Sequence, residues 1–153
     1  MRLAGYDYSQ PGAYFITVCV KDRKCLLSTV VGADDHIGPY TKLTSIGMVV
    51  EKYTKMIPGI GMYVIMPNHV HMILHISSND HGNGPMWSSA PTDAKIENLI
   101  RTWKTLITKE LGVALWQRSY YDHVIRSEED YRTIGEYING NPGKWAEDKY
   151  YMI

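Results

Sequence analysis

Apolar and polar positions alternate along this chain with two periods, and the switches between them mark out the elements. Residues Ala13–Val20 (AYFITVCV) are β-branched and aromatic almost throughout, which predicts a buried strand. Leu27–Pro39 is turn-like and weakly apolar, with Gly32, Asp34, Asp35 and Gly38. From Thr41 the apolar residues Leu43, Ile46, Val49, Val50, Tyr53 and Ile57 fall at helical spacing, until Pro58-Gly59 ends the helix. Two strands follow, Gly61–Met66 and His69–Ile76, and the Pro67-Asn68 pair between them has the length of a tight hairpin.

Ser77–Thr92 (SSNDHGNGPMWSSAPT) is rich in Ser, Gly, Asn and Pro, and has too few apolar anchors to offset the entropy of ordering it. A mobile loop is predicted there. Asp93 then caps an amphipathic helix marked by Ile96, Leu99, Ile100, Trp103, Leu106, Ile107 and Leu111, and Gly112 closes it. A short strand spans Tyr121–Arg126. Ser127, with Asp130 three residues on, starts a last helix that runs to about Gly140, where Asn141-Pro142-Gly143 stops it. The order β-α-β-β-α-β-α predicts an α+β fold: a ferredoxin-like antiparallel sheet with helices on one face and a further C-terminal helix.

Composition narrows the classes. At 153 residues the chain suits one domain, spanning 1–153, with a core of its own. No apolar run approaches membrane-spanning length, and Met1–Phe15 shows no signal-peptide pattern. Cys19 and Cys25 cannot frame a disulfide scaffold, so reduced thiols and a cytoplasmic location are expected. Sixteen basic and sixteen acidic residues cancel, which excludes a protein that coats nucleic acid by net charge alone. A local stripe remains: between Lys95 and Arg126, the residues Lys95, Arg101, Lys104, Lys109, Arg118 and Arg126 outnumber Glu97, Glu110 and Asp122. Trp116, Tyr120 and Tyr121 lie among them and could stack on bases.

The sharpest local feature is His69-Val70-His71. Strand side chains alternate, so both imidazoles share a face with Ile73 and His75, while Val70, Met72, Leu74 and Ile76 line the face under the helices. The imidazoles are expected to be exposed on the open side of the sheet, close enough to share one metal ion. Two histidines do not complete a site, and His75, His123, Asp122, Glu136 and Asn141 are the candidates for a third ligand. On the last helix Tyr137 and Asn141 are spaced i, i+4 and share a face, although Tyr131, Ile134, Tyr137 and Ile138 also form a packing stripe.

The segments YFITVCVKDRKCLL, YVIMPNHVHMIL, IRTWKTLITKEL, LWQRSYYDHVIRSEEDYR and EYINGNP cover most of the chain in order. Taken together they resemble the single-tyrosine HUH transposases, in particular the REP-associated tyrosine transposase branch. The resemblance implies that His69 and His71 bind a divalent metal, Mg²⁺ or Mn²⁺ before Zn²⁺, and that Asn141 completes its shell. It implies that Tyr137 attacks single-stranded, hairpin-bearing DNA to give a 5′-phosphotyrosine, with Arg101, Lys104, Arg118 and Arg126 as DNA contacts. The branch includes homodimers that exchange the tyrosine helix and monomers that act in cis. Tyr121 is the rival nucleophile. Competing readings are a non-catalytic nucleic-acid binder on the same sheet, and a small zinc hydrolase built on His69, His71 and His123.

Overall fold

The computed structural model describes residues 12–32, 40–76 and 95–150. In chain order the elements are β1 (Gly12–Cys19), a 3-10 turn (Lys21–Arg23), β2 (Ser28–Val31), β3 (Tyr40–Leu43), α1 (Ser45–Thr54), β4 (Ile60–Ile65) and β5 (His69–Ile76). Then come α2 (Lys95–Leu111), β6 (Tyr121–Ile125), α3 (Glu128–Gly140) and a second 3-10 segment (Pro142–Glu147). The loop predicted over Ser77–Thr92 lies outside the described residues.

Four strands form one antiparallel sheet in the order β4-β5-β1-β6, which is the expected split β-α-β arrangement. The order follows from the connections. Each of α1 and α2 carries the chain over the sheet and returns it two positions away, leaving β1 and β5 as the paired centre. Both central strands are covered on their two faces, so β5 is buried through both the apolar set Val70, Met72 and Leu74 and the opposite set His69, His71 and Ile73.

On one face, Tyr14, Ile16, Val18, Val70, Met72 and Leu74 pack under Val50 of α1 and Ile100, Trp103 and Ile107 of α2. Trp103 is fully buried and donates through Nε1 to Thr54 Oγ1 at 3.1 Å, which ties the two helices together. On the other face a smaller core joins Phe15 and Ile73 to Ile134 and Ile138 of α3. The apolar stripe of α3 has to be buried somewhere, and the face that carries the histidines is the one left free.

Capping explains where the helices start. Thr44 Oγ1 accepts from Gly47 N at 3.0 Å, and Ser127 Oγ accepts from Asp130 N at 3.0 Å. The helical spacing from Thr41 had suggested an earlier start for α1. Instead Thr41–Leu43 belong to β3, which pairs with β2 as a small separate hairpin; of the two strands only β2 falls inside the stretch expected to be irregular. Gly59 opens β4 at φ +81°, and a Cβ there would sit 2.0 Å from the His75 carbonyl oxygen, so only glycine allows that closure.

Candidate metal and tyrosine site

The β5 pleat sends His69 and His71 to the α3 face and Val70 and Met72 to the α1/α2 face, as alternation requires. In register, His69 lies opposite Cys19 and His71 opposite Thr17. The two Nε2 atoms point at one another, 3.1 Å apart. The outer nitrogens are also engaged: His69 Nδ1 with Asn68 Oδ1 at 2.9 Å, and His71 Nδ1 with Thr17 Oγ1 at 2.8 Å.

The rings are not exposed, which corrects the expectation from the strand pattern. His69 is 0% and His71 1% exposed. Tyr150 lies against His69 with ring centroids 4.5 Å apart, and Trp145 is at 6.2 Å. Phe15 stacks on His71 at 5.3 Å, and Tyr137 borders it at 5.2 Å. Two covers do this, α3 and the 3-10 segment with the residues after it.

Burial sets the electrostatics. It pushes the His69 imidazole down to about 3; Asn141 opposes this, while the positive charges of Lys149 and Arg23 add to it. His71 is held well below the usual histidine range by burial, then by His69 and Lys149. Both rings are therefore neutral at pH 7, with lone pairs available.

Asp148 is the third member of the cluster. Its Oδ2 lies 3.7 Å from His69 Nε2, and one ligand atom from each of His69, His71 and Asp148 falls within 4.8 Å of the others. Burial raises the Asp148 carboxyl. Asn141 is buried beside them, its Nδ2 donating to the Tyr137 carbonyl at 3.2 Å. Its Oδ1 has no hydrogen-bond partner among the described residues. An unpaired buried carbonyl oxygen costs about 1–3 kcal/mol, and a cation would relieve that cost. Two neutral imidazoles, a carboxylate and an orphaned amide oxygen are a donor set that a divalent ion fits.

Tyr137, on α3, is 43% exposed, with its ring against His71. Burial raises its phenol, the Asn141 contact lowers it, and Asp148 raises it. Tyr121, on β6, is equally open, but its ring meets Phe15 edge-on at 6.5 Å and lies under Lys149. Tyr150 is nearly buried, with its phenol pushed up to about 12 by burial.

Of the other candidate ligands, His75 is bonded to the Tyr131 hydroxyl at 3.2 Å and His123 to Asp130 at 2.9 Å. Asp122 pairs with Ile16 and so faces the α1/α2 side, and Glu136 is exposed. The sequence pattern gave no sign of Asp148, which follows the helix stop in a segment without periodicity. The aromatics that flank it, Trp145 and Tyr150, are the signal that could have drawn attention to that segment.

The basic stripe divides in space. Arg101, Lys104 and Arg118 line one groove of about 390 Å³ with Glu97, Ile100, Thr105 and Tyr120, whereas Arg126 is exposed beyond β6 and does not line it. Lys104 donates to the carbonyls of Gln117 (2.9 Å) and Arg118 (3.3 Å), so it also holds the turn that presents Arg118. Trp116 is no stacking platform: it is 9% exposed and packs on Trp103 with centroids 4.6 Å apart. Two cations outside that stripe, Arg23 and Lys149, flank the Tyr150 ring at 5.3 and 5.2 Å.

Fold and site together define a class: α+β proteins that hold a candidate metal-binding histidine pair on a central strand, with a tyrosine from a covering helix beside it. No family model matches the chain. It is 33% identical, over an alignment of 171 positions, to an uncharacterised protein of Haemophilus influenzae, covering 99% of this chain and 92% of that one. It is 26% identical to a REP-associated tyrosine transposase of Escherichia coli, covering 90% of this chain and 70% of that protein. A solved structure of a REP-associated tyrosine transposase bound to a REP hairpin superimposes with a TM-score of 0.60 at 24% identity, covering 94% of this chain and 74% of that one. The relatives that carry a family name are thus REP-associated tyrosine transposases, which this chain resembles at 24–26% identity. Among the described residues no helix is long and apolar enough to cross a membrane.

Proposed function

We propose that this protein is a transposase that cleaves and rejoins hairpin-bearing single-stranded DNA through a covalent bond to Tyr137. The observation that carries the proposal is the placement of the Tyr137 ring against His71 of its own chain, beside three potential ligands and an unpaired amide oxygen. The REP hairpin bound to the structural relative and the transposase name of the Escherichia coli relative support the choice of substrate.

In the cleavage step the Tyr137 hydroxyl oxygen forms a bond to phosphorus and the bond from phosphorus to the 3′ oxygen breaks. The electron pair leaves with that oxygen, which ends as a 3′ hydroxyl, and the phenol proton passes to solvent. The tyrosine–phosphate bond keeps the energy of the broken linkage, so rejoining by a 3′ hydroxyl is the same step reversed and needs no nucleotide. An unassisted phenol near its ordinary pKa of about 10 is a weak nucleophile, and burial at Tyr137 makes it weaker.

A divalent ion, Mg²⁺ or Mn²⁺, held by His69, His71, Asp148 and Asn141, would supply charge neutralisation at a phosphate oxygen. What the chain itself supplies is position. Asn141 bonds the Tyr137 carbonyl and lies beside the His69 ring, so ligand and nucleophile are tied to the same turn of α3. Arg101 and Arg118, with Lys104 bracing the turn, and Arg126 beyond them are the proposed phosphate contacts of the flanking DNA.

The test is incubation of the protein with a labelled single-stranded hairpin oligonucleotide and Mn²⁺, followed by a denaturing gel. A covalent protein–DNA band that requires the metal supports the proposal. Tight DNA binding without any covalent band would favour a binding protein, and hydrolysis without an adduct would favour a metal hydrolase.

A further inference from the structure

Two imidazoles facing each other through Nε2 raise a question of protons. A neutral histidine carries one ring N–H, and a metal ligand must present its bare nitrogen. Which nitrogen of His69 is bare is decided outside the histidine pair. Asn68 is fully buried in the β4–β5 turn, and its Nδ2 lies 2.7 Å from the Tyr150 carbonyl and 3.2 Å from the Arg23 carbonyl. Carbonyls only accept, so the nitrogen end of the Asn68 amide must face them. The amide orientation is thereby fixed, and Oδ1 is the end that meets His69 Nδ1 at 2.9 Å. That oxygen too only accepts, so the His69 proton sits on Nδ1 and the lone pair on Nε2.

His71 is not fixed in the same way. Its outer partner is the Thr17 hydroxyl, which donates or accepts by rotating. With His69 Nε2 bare, the 3.1 Å contact between the rings is a hydrogen bond only if His71 donates from its own Nε2. His71 Nδ1 then accepts from Thr17, and His71 must exchange tautomer before both Nε2 atoms can face one ion.

The geometry points to Asn68 as a positioning residue that locks His69 in the tautomer a metal needs, while His71, through the rotatable Thr17 hydroxyl, is the member that adapts. Both polar atoms of the Asn68 side chain are engaged within the protein. It joins three parts of the chain to the ring: the 3-10 turn through Arg23, the segment after α3 through Tyr150, and β5 itself. Its consequence for metal affinity rests on the functional reading above, but its consequence for the tautomer does not.

The experiment uses the full chain with ¹⁵N-labelled histidine. Long-range ¹H–¹⁵N spectra of the metal-free protein at pH 7.5 report which nitrogen of each ring is protonated, and titration calorimetry reports Mn²⁺ affinity. In the wild type His69 is expected as Nδ1–H and His71 as Nε2–H. Asn68→Ala removes the acceptor, so His69 should lose its single Nδ1–H signature and Mn²⁺ should bind about 10- to 100-fold more weakly. Asn68→Asp keeps an accepting oxygen while giving up both donated bonds, so it should lose stability yet keep the Nδ1–H tautomer. A purely structural role would affect both variants alike. A wild-type spectrum with His69 as Nε2–H overturns the inference without any variant. So does a folded Asn68→Ala that keeps the Nδ1–H signature. If the wild type shows the expected tautomers but takes up no Mn²⁺, the metal reading fails and the tautomer lock stands.

Discussion

Replacing His71 by alanine tests the buried arrangement of the site, because a ring on an open sheet face and a ring under two covers predict different stabilities. His71 is 1% exposed and lies among Phe15, His69, Tyr137 and Tyr150, with ring centroids 4.5–6.3 Å away. Removing a fully buried phenyl ring costs about 3–5 kcal/mol, and the smaller imidazole should account for somewhat less. Its loss also strands the Thr17 hydroxyl, itself 3% exposed, and His69 Nε2, at about 1–3 kcal/mol for each buried polar group left unpaired. A water molecule entering the polar hole hydrogen-bonds both stranded groups and offsets most of their cost, leaving chiefly the loss of the ring. The net expectation is a destabilisation of about 2–4 kcal/mol, which for a chain of this length lowers Tm by roughly 5–15 °C. The assay is calorimetric melting at pH 7.5 in EDTA, with exposed Lys109→Ala as a control that should stay within about 0.5 kcal/mol of wild type. A Tm for His71→Ala within about 2 °C of wild type would refute the reasoning and return the ring to an open face.

The same burial predicts a pH dependence. The unfolded chain protonates each histidine near pH 6.5, whereas folded His69 resists until about 3 and folded His71 stays well below 6.5, so the unfolded state binds more protons between those limits. Stability is therefore full above pH 6.5 and falls as pH drops, by about 2–3 kcal/mol for the pair between pH 7 and 5.5. A metal-free Tm that is flat or rises across that interval would contradict it. Asp148→Ala should weaken Mn²⁺ binding about tenfold or more by calorimetry, and unchanged affinity would remove Asp148 from the shell. Arg118→Ala should weaken single-stranded DNA binding and reduce its salt slope by about one charge, and an unaltered slope in filter binding would move the DNA path off that groove.

How much of this was legible depended on whether one element sufficed to read it. Period-2 alternation through Val70, His71 and Met72 gave the histidine face, and the stripe Ile96–Trp103–Ile107 gave α2, because each signal is local. The burial of His71 was not legible, since it depends on what crosses that face. The segment that brings Trp145 and Tyr150 there carries no period of its own. Asp148 was missed for the same reason. Trp116 looked like a surface ring because it sits in a short irregular stretch. Its bridge to Val20, a tertiary pairing, turns it onto Trp103. The hairpin β2–β3 was hidden by its length of four residues per strand, too short for alternation to stand out from a loop.

The central claim is that Tyr137 is the residue that becomes bonded to DNA, and peptide mapping of the adduct tests it most directly. Trypsin places the tyrosines nearest the histidines on separate peptides: Tyr137 alone within Thr133–Lys144, Tyr121 within Ser119–Arg126, and Tyr150 within the final four residues. The adduct formed with a hairpin oligonucleotide and Mn²⁺ is digested with nuclease and trypsin and read by mass spectrometry. The mass of a 5′-linked nucleotide on Thr133–Lys144, absent from the Tyr137→Phe protein, is the result this account predicts. The same mass on Ser119–Arg126 or on the final peptide, with Thr133–Lys144 unmodified, would contradict it.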